Sequence, residues 1–328
     1  MVEIRNFKQR NPLLVLAWSY GLFVLVYSTQ YLYIWLVSHF TGMGFISLLR
    51  GGYVVSLTVL AKGLFALIIG VPAALLAVKY LWRRDKQWIC STFNFKLLAC
   101  GIILGLLLPI IVLAILSLPG TVKIIGSPDR FTTFEIFSIL VGNFGYILFI
   151  GMLMEFVFRG MVLREWASRW GWMAAAILGG LYSGAAYLSV TLPNLSFLSM
   201  VKTILLMAAA SLLFAAMYIR SKSLWLPIGF HIGWNFCLKA VFGTITGGSD
   251  ANLGIFETVL TGPGLLTGGK LGLEFSIVTL VVYFILAILF LKFPWKGKPV
   301  LLAAKPRNSK NVIYHEGHEG HEERKRRR

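Results

Sequence analysis

Met154-Glu155-Phe156-Val157-Phe158-Arg159-Gly160 is the stretch around which the chain is organised. It sets a carboxylate and a guanidinium one helical turn apart in an apolar run that begins near Phe134. Ionisable side chains are costly at membrane depth, so they face a bundle interior and mark functional sites. At i, i+4 the two charges share a helix face and neutralise each other. The same spacing also suits an interfacial ion pair with no chemistry, and this stretch alone leaves both readings open.

The surrounding chain is that of a membrane protein. Of 328 residues, 57% are hydrophobic and 13% charged, and the mean hydropathy is +0.77. A soluble domain carries roughly a quarter charged residues. A helical span needs roughly 20 apolar residues to cross a hydrocarbon core of ~30 Å. Runs of that kind fall at 13–37, 54–81, 97–118, 134–158, 172–190, 198–219, 224–243 and 273–293. The expected fold is an all-α polytopic membrane protein of about eight transmembrane helices. The second run is the weakest, because Arg50 and Lys62 interrupt its approach, and 43–53 reads as an interfacial helix.

The net charge of +18 does not point to nucleic acid. Eleven of the 31 Lys and Arg residues lie from Lys292 onward, and most others flank apolar runs. That is the pattern of the positive-inside bias and of anionic headgroups. With the N-terminus inside, Arg5, Lys8 and Arg10, then Lys79, Arg83, Arg84, Lys86 and Lys96, then Arg159, Arg164 and Arg169, then Arg220 and Lys222, then the basic tail, fall on one side. Both termini are therefore expected in the cytoplasm. The run Leu13 to Val37 is too long for a secretory h-region and reads as a first membrane helix. Cys90, Cys100 and Cys237 are scattered, without metal-ligand spacing.

Three further segments carry polar chemistry or packing signals. The fifth run holds Ala174, Ala175, Ala176, Gly179, Gly180, Ser183, Gly184, Ala185 and Ala186. Small residues allow close helix approach, so this helix is expected at the centre of the bundle. The seventh run contains Pro227-Ile228-Gly229-Phe230-His231-Ile232-Gly233-Trp234-Asn235. His231 and Asn235 share a face at i, i+4, with Gly233 leaving room between them, and both can donate toward one point. The tail ends in His315, His318 and His321 among Glu and Gly, then five basic residues. It cannot bury a core and reads as disordered. Its histidines have no fixed geometry for a metal.

Taken in order, Met154-Glu155-x-x-Phe158-Arg159-Gly160, Tyr187 to Thr191 with Leu192-Pro193-Asn194, and His231-Ile-Gly-Trp-Asn235 resemble the CPBP family of intramembrane endopeptidases. That family includes the type II CAAX prenyl endopeptidases and the bacterial Abi proteins. Its pattern is Glu-Glu-x-x-x-Arg, then Phe-x-x-x-His, then His-x-x-x-Asn or Asp, on separate helices of a four-helix core. The resemblance covers about 134–243. It implies N-terminal helices at 1–133, the core at 134–243, a loop and last helix at 244–295, and the basic tail at 296–328.

The resemblance implies site residues Glu155, Arg159, His231 and Asn235. It also identifies two departures: Met154 stands where the family has its first glutamate, and Thr191 where it has its first histidine. In the family those two residues activate the attacking water, and the His231–Asn235 pair stabilises the oxyanion. Met154 has no titratable proton and Thr191 has no pKa near neutrality. A positioned general base is worth ~10²–10⁴-fold in rate, so peptide hydrolysis is expected to be impaired. The family has been described as metal-dependent, but no complete ligand set is present, and the cofactor stays unknown.

The expected partners are membrane lipid and a membrane-anchored peptide or protein, with no nucleic acid. The expected location is a bacterial plasma membrane. A non-catalytic pseudoprotease that binds a membrane protein, peptide or lipid is the alternative to the enzyme. A transporter is disfavoured by the lack of an inverted repeat. One geometric condition follows. Thr191 ends its run on the face opposite Arg159, so Met161 to Trp170 should continue the fourth helix and leave Glu155 deep.

Overall fold

The computed structural model describes residues 11–42, 55–72, 76, 93–126, 128–191, 197–244 and 254–292. The expected interfacial helix at 43–53, much of the basic loop at 79–96 and the His-Glu-Gly tail lie outside them. So do Leu192-Pro193-Asn194.

Eight helices carry the described fold. They are α1 (Pro12–Thr41), α2 (Val55–Phe65, with a π turn Ala66–Gly70), α3 (Phe95–Ser117) and α4 (Thr133–Glu155). Then come α5 (Trp172–Thr191), α6 (Phe197–Ser221), α7 (Trp225–Phe236) and α8 (Ile277–Lys292). By length and composition, three helices can cross a membrane: Phe95–Ser117, Thr133–Trp170 and Phe197–Ser221. Four shorter apolar helices, Pro12–Gly21, Val59–Gly70, Trp172–Leu188 and Ile277–Lys292, accompany them. The chain is thus a mostly helical, membrane-type protein, with three helices among the described residues that are long and apolar enough to cross a membrane.

The helix starts are written locally. Thr132 caps α4 by accepting from the Glu135 amide at 3.3 Å, while the Glu135 carboxylate accepts from the Thr132 amide at 2.9 Å. This reciprocal box satisfies amides that a helix start leaves open. Asn94 caps α3 in the same sense, accepting from Leu97 N at 3.1 Å. Arg220, at the end of α6, donates through Nε to the Phe290 carbonyl at 2.9 Å and through a second nitrogen to that of Leu291. A cation there meets the negative end of α8.

The expected continuation of α4 is present. After Glu155 the helix passes into a π segment, Phe156–Leu163, and then Arg164–Trp170 without a break. All of Phe156 to Leu163 is buried.

Glycines set the closest contacts. Gly101 and Gly105 of α3 face Leu226, Gly229, Phe230 and Gly233 of α7, so that a Cβ at either glycine would collide with α7 backbone. Gly233 therefore serves helix packing on the face turned to α3, and does not make room between His231 and Asn235 as its position suggested. Two residues along a helix turn ~200° around its axis, which carries Gly233 away from the His231 face. Gly63 of α2 meets Gly142 of α4 in the same manner.

Two other expectations change. On α5, Gly180 and Gly184 meet the α6 backbone at Ala208 and Ile204, but Met173, Ile177, Leu178 and Leu181 are exposed on the other side. The small-residue helix thus packs against α6 and, through Ala175 and Ala176, against the continuation of α4 and α1, while its remaining face is exposed. The fold is also not purely helical. Val122–Gly126 (β1) and Glu257–Leu260 (β2) form an antiparallel ribbon with Val122 opposite Leu260. The second strand falls in the Gly-rich segment that the hydropathy pattern left as a loop.

A main core gathers Leu213 and Met217 of α6, Leu226, Phe230 and Trp234 of α7, and Val112 and Leu116 of α3. Leu273 and Phe275, in the turn before α8, belong to the same core.

Candidate active site

The site forms where α4, α6 and α7 meet. Glu155 is fully buried. Its Oε1 accepts from Arg159 Nη1 at 3.2 Å, one turn along α4, and lies 3.1 Å from His231 Nδ1 on α7. Arg159 is 7% exposed, and its guanidinium carbon lies 4.5 Å over the Phe214 ring of α6. The His231 ring packs on the same phenyl, centroids 5.7 Å apart. Phe214 thus covers both partners of one carboxylate. Gly151 of α4 lies beside the His231 ring, with room for a Cβ at ordinary contact distance, 3.6 Å from His231 Cδ2.

Both polar helices change register beside the site. The π segment of α4 begins immediately after Glu155, and a second, Cys237–Val241, follows Phe236 on α7. π turns are rare and recur at functional sites. Here they adjust the faces of α4 and α7 immediately past Glu155 and Asn235.

The remaining sequence-derived positions divide. Asn235 Nδ2 donates to the His231 backbone carbonyl at 3.1 Å, so one of its N–H groups is spent within its own helix. A shared aim of Asn235 and His231 at one point is not among the hydrogen bonds present. Met154 is half-buried and packs in an apolar cluster with Phe149, Leu153, Val157, Tyr182, Ala186 and Tyr187. Position 154 therefore faces α5, the helix that carries the second motif. Thr191 is the last residue of α5, and its side chain lies outside the described residues. Glu135 is committed to its capping box, far along α4 from the site.

The Glu155 contact orients His231. With Nδ1–H donated to the carboxylate, the neutral ring offers Nε2 as a lone-pair acceptor. Once protonated, it offers Nε2–H as a donor. The side chain is 17% exposed, and Nε2 has no hydrogen-bond partner among the described residues. Such a carboxylate–histidine pair is the orienting half of nucleophile activation in hydrolases. A metal does not fit this donor set. Oε1 is shared by a guanidinium and an imidazole, and no group of three His, Cys, Asp or Glu converges among the described residues.

Sequence reasoning passed over three charged residues inside the apolar runs. Lys62 was read only as an interruption, and Lys239 and Glu274 were not singled out. Each could have been flagged by its charge within an otherwise apolar run. Glu274 sits in the turn Leu273–Phe275 before α8, outside the spanning helix. Burial pushes its carboxyl up, and Lys239 and then His231 pull it back.

Residues 136–237 match the family described as type II CAAX prenyl endopeptidase Rce1-like. No curated protein and no solved structure matches the chain. The match begins in the first turns of α4 and ends just past Asn235, so it contains Glu155, Arg159, His231 and Asn235 together. Over these residues the chain is similar to the type II CAAX prenyl endopeptidases of the CPBP family.

Proposed function

We propose that the chain is a membrane-embedded endopeptidase of CAAX type, acting on prenylated or other membrane-proximal peptides, with hydrolysis weakened by Met154 and Thr191. The observation that carries this reading is the 3.1 Å contact of Glu155 Oε1 with His231 Nδ1, which leaves Nε2 free. In this reading His231 takes a proton from water, hydroxide attacks the peptide carbonyl carbon, and the protonated ring returns the proton to the leaving amine. Asn235 retains one N–H for the oxyanion. The Glu–His pair of the complete family site is missing, so the rate should fall ~10²–10⁴-fold below a complete site. The proposed setting is a bacterial plasma membrane, with both termini cytoplasmic and membrane lipid around the bundle.

A pseudoprotease that binds a membrane-anchored peptide, protein or lipid is the second reading. It is favoured by the full burial of Glu155, whose Oε1 is already engaged twice. Turnover of a farnesylated peptide by the purified protein separates the two. Wild-type cleavage abolished by His231→Ala supports the enzyme. Cleavage only after Met154→Glu with Thr191→His supports the pseudoprotease. If neither protein cleaves while both bind the peptide, the CAAX hydrolase reading is lost.

A further inference from the structure

Phe214 stands on α6, outside the three motifs, and is buried. Two side chains of the candidate site rest on its ring. The Arg159 guanidinium carbon lies 4.5 Å over it, and the His231 ring centroid is 5.7 Å away with the planes tilted by 35°. Phe230, the residue before His231 on α7, meets the same phenyl in a T-shape, centroids 5.5 Å apart and planes at 77°. The phenyl plane is thus held from α7. Both side chains fall within the ~6 Å over which an aromatic ring attracts a cation.

Charge at Glu155 is balanced before reaction and unbalanced during it. While His231 is neutral, the carboxylate and Arg159 form a buried pair joined at 3.2 Å. When Nε2 takes a proton from the attacking water, a second cation appears beside them. Oε1 by then already serves both Arg159 Nη1 and His231 Nδ1, and the buried Oε2 makes no hydrogen bond among the described residues. Glu274, which also acts on His231, forms no ion pair with it. An extra charge in a low-dielectric interior is expensive unless something offsets it. The Phe214 ring lies against the imidazole, and the negative face of a phenyl attracts an imidazolium more than an imidazole. This attraction grows as the proton is taken, so it lowers the barrier and leaves substrate binding unchanged.

We propose that Phe214 is a positioning residue that acts through His231, its π face stabilising the imidazolium formed when water is deprotonated. This rests on the endopeptidase reading and deepens it. One carboxylate shared with Arg159 supports His231 as base because the phenyl carries part of the second charge. α6, which holds none of the motifs, thereby takes part in the chemistry.

The test replaces Phe214 in the full chain by 4-fluoro-, 3,5-difluoro- and 3,4,5-trifluorophenylalanine, which drain negative charge from the ring face while its shape changes little. Two fluorescent farnesylated peptides are then bound in neutral-lipid nanodiscs. One carries an uncleavable ketomethylene at the scissile position, and the other a phosphinate, whose anionic oxygen accepts from protonated His231. Ketomethylene affinity should stay level across the series. Phosphinate affinity should fall stepwise, by roughly tenfold at three fluorines. Phe214→Tyr should keep the phosphinate affinity. Phe214→Leu should lose most of it while keeping the ketomethylene affinity, which a misfolded protein would not. Phosphinate affinity unmoved by fluorination, or lost only in step with ketomethylene affinity, overturns the role of Phe214 and leaves the endopeptidase reading intact. Failure of the wild type to bind the phosphinate overturns that reading, and the role of Phe214 with it.

Discussion

Glu155 is held by two partners that both lie inside the protein, and that arrangement fixes what its loss would do. Removing one member of a buried pair leaves an uncompensated charge, which costs ~3–5 kcal/mol. Arg159 would keep only the Phe214 ring face, and His231 would lose the carboxylate at Nδ1. Glu155→Ala should therefore lower the thermal unfolding midpoint of the detergent-purified protein markedly, whatever its activity. Phe214→Ala is expected to loosen both partners of Glu155, since the ring touches each. Truncating a buried phenyl costs ~3–5 kcal/mol. A midpoint unchanged by either substitution would contradict the packed site. The sequence revealed the Glu155–Arg159 face through its i, i+4 spacing, but Phe214 was invisible in it. A phenylalanine in an apolar run has no mark that distinguishes a site wall from lipid-facing surface.

At the scale of elements, the tight pairs are those in which backbones touch. Gly101 and Gly105 on α3, with Gly229 and Gly233 on α7, leave no space for a methyl group. Gly229→Ala or Gly233→Ala should force α3 from α7 and move His231 with the helix that carries it. The expected result is a loss on the order of 1–3 kcal/mol from overpacking, read by thermal unfolding, with farnesylated-peptide cleavage falling alongside. Gly179→Ala on α5 is the contrast: its nearest neighbours are at 3.7 Å or beyond, and stability should change little. The small residues of α5 were legible as a packing signal, yet their number overstated the burial. One stripe of them meets α6, while Met173, Ile177 and Leu178 face outward. The continuation of α4 to Trp170 was legible from polar and apolar alternation past Arg159. The π segment within it was not, since its extra residue per turn is a response to packing on both sides.

At the scale of the molecule, the distribution of Lys and Arg sets orientation by the positive-inside rule. Reporter fusions at residues 1 and 328 should both read cytoplasmic, and a split result would invert half of the bundle. The ribbon of Val122–Gly126 with Glu257–Leu260 joins the segment after α3 to the segment before α8. It brings Leu273 and Phe275 into the core beside Trp234, with Phe275 6.2 Å from Tyr187 in ring centroids. A proline at Lys123, which would remove an amide in the ribbon, should loosen this closure and expose Glu274. Hydrogen exchange at 257–260 would report it.

By itself the sequence determined the class of the molecule, the approximate positions of its apolar runs and the residues of its motifs. Those follow from local quantities: hydropathy over a helix length, charge between runs and spacing along one helix face. It also determined that Met154 and Thr191 carry no water-activating group. Only the tertiary structure decided that Glu155 Oε1 joins Arg159 and His231 and that Phe214 walls them. Those contacts depend on helix crossing and on register shifts at π turns. Residues distant along the chain are brought together by packing, and no local spacing encodes which faces meet.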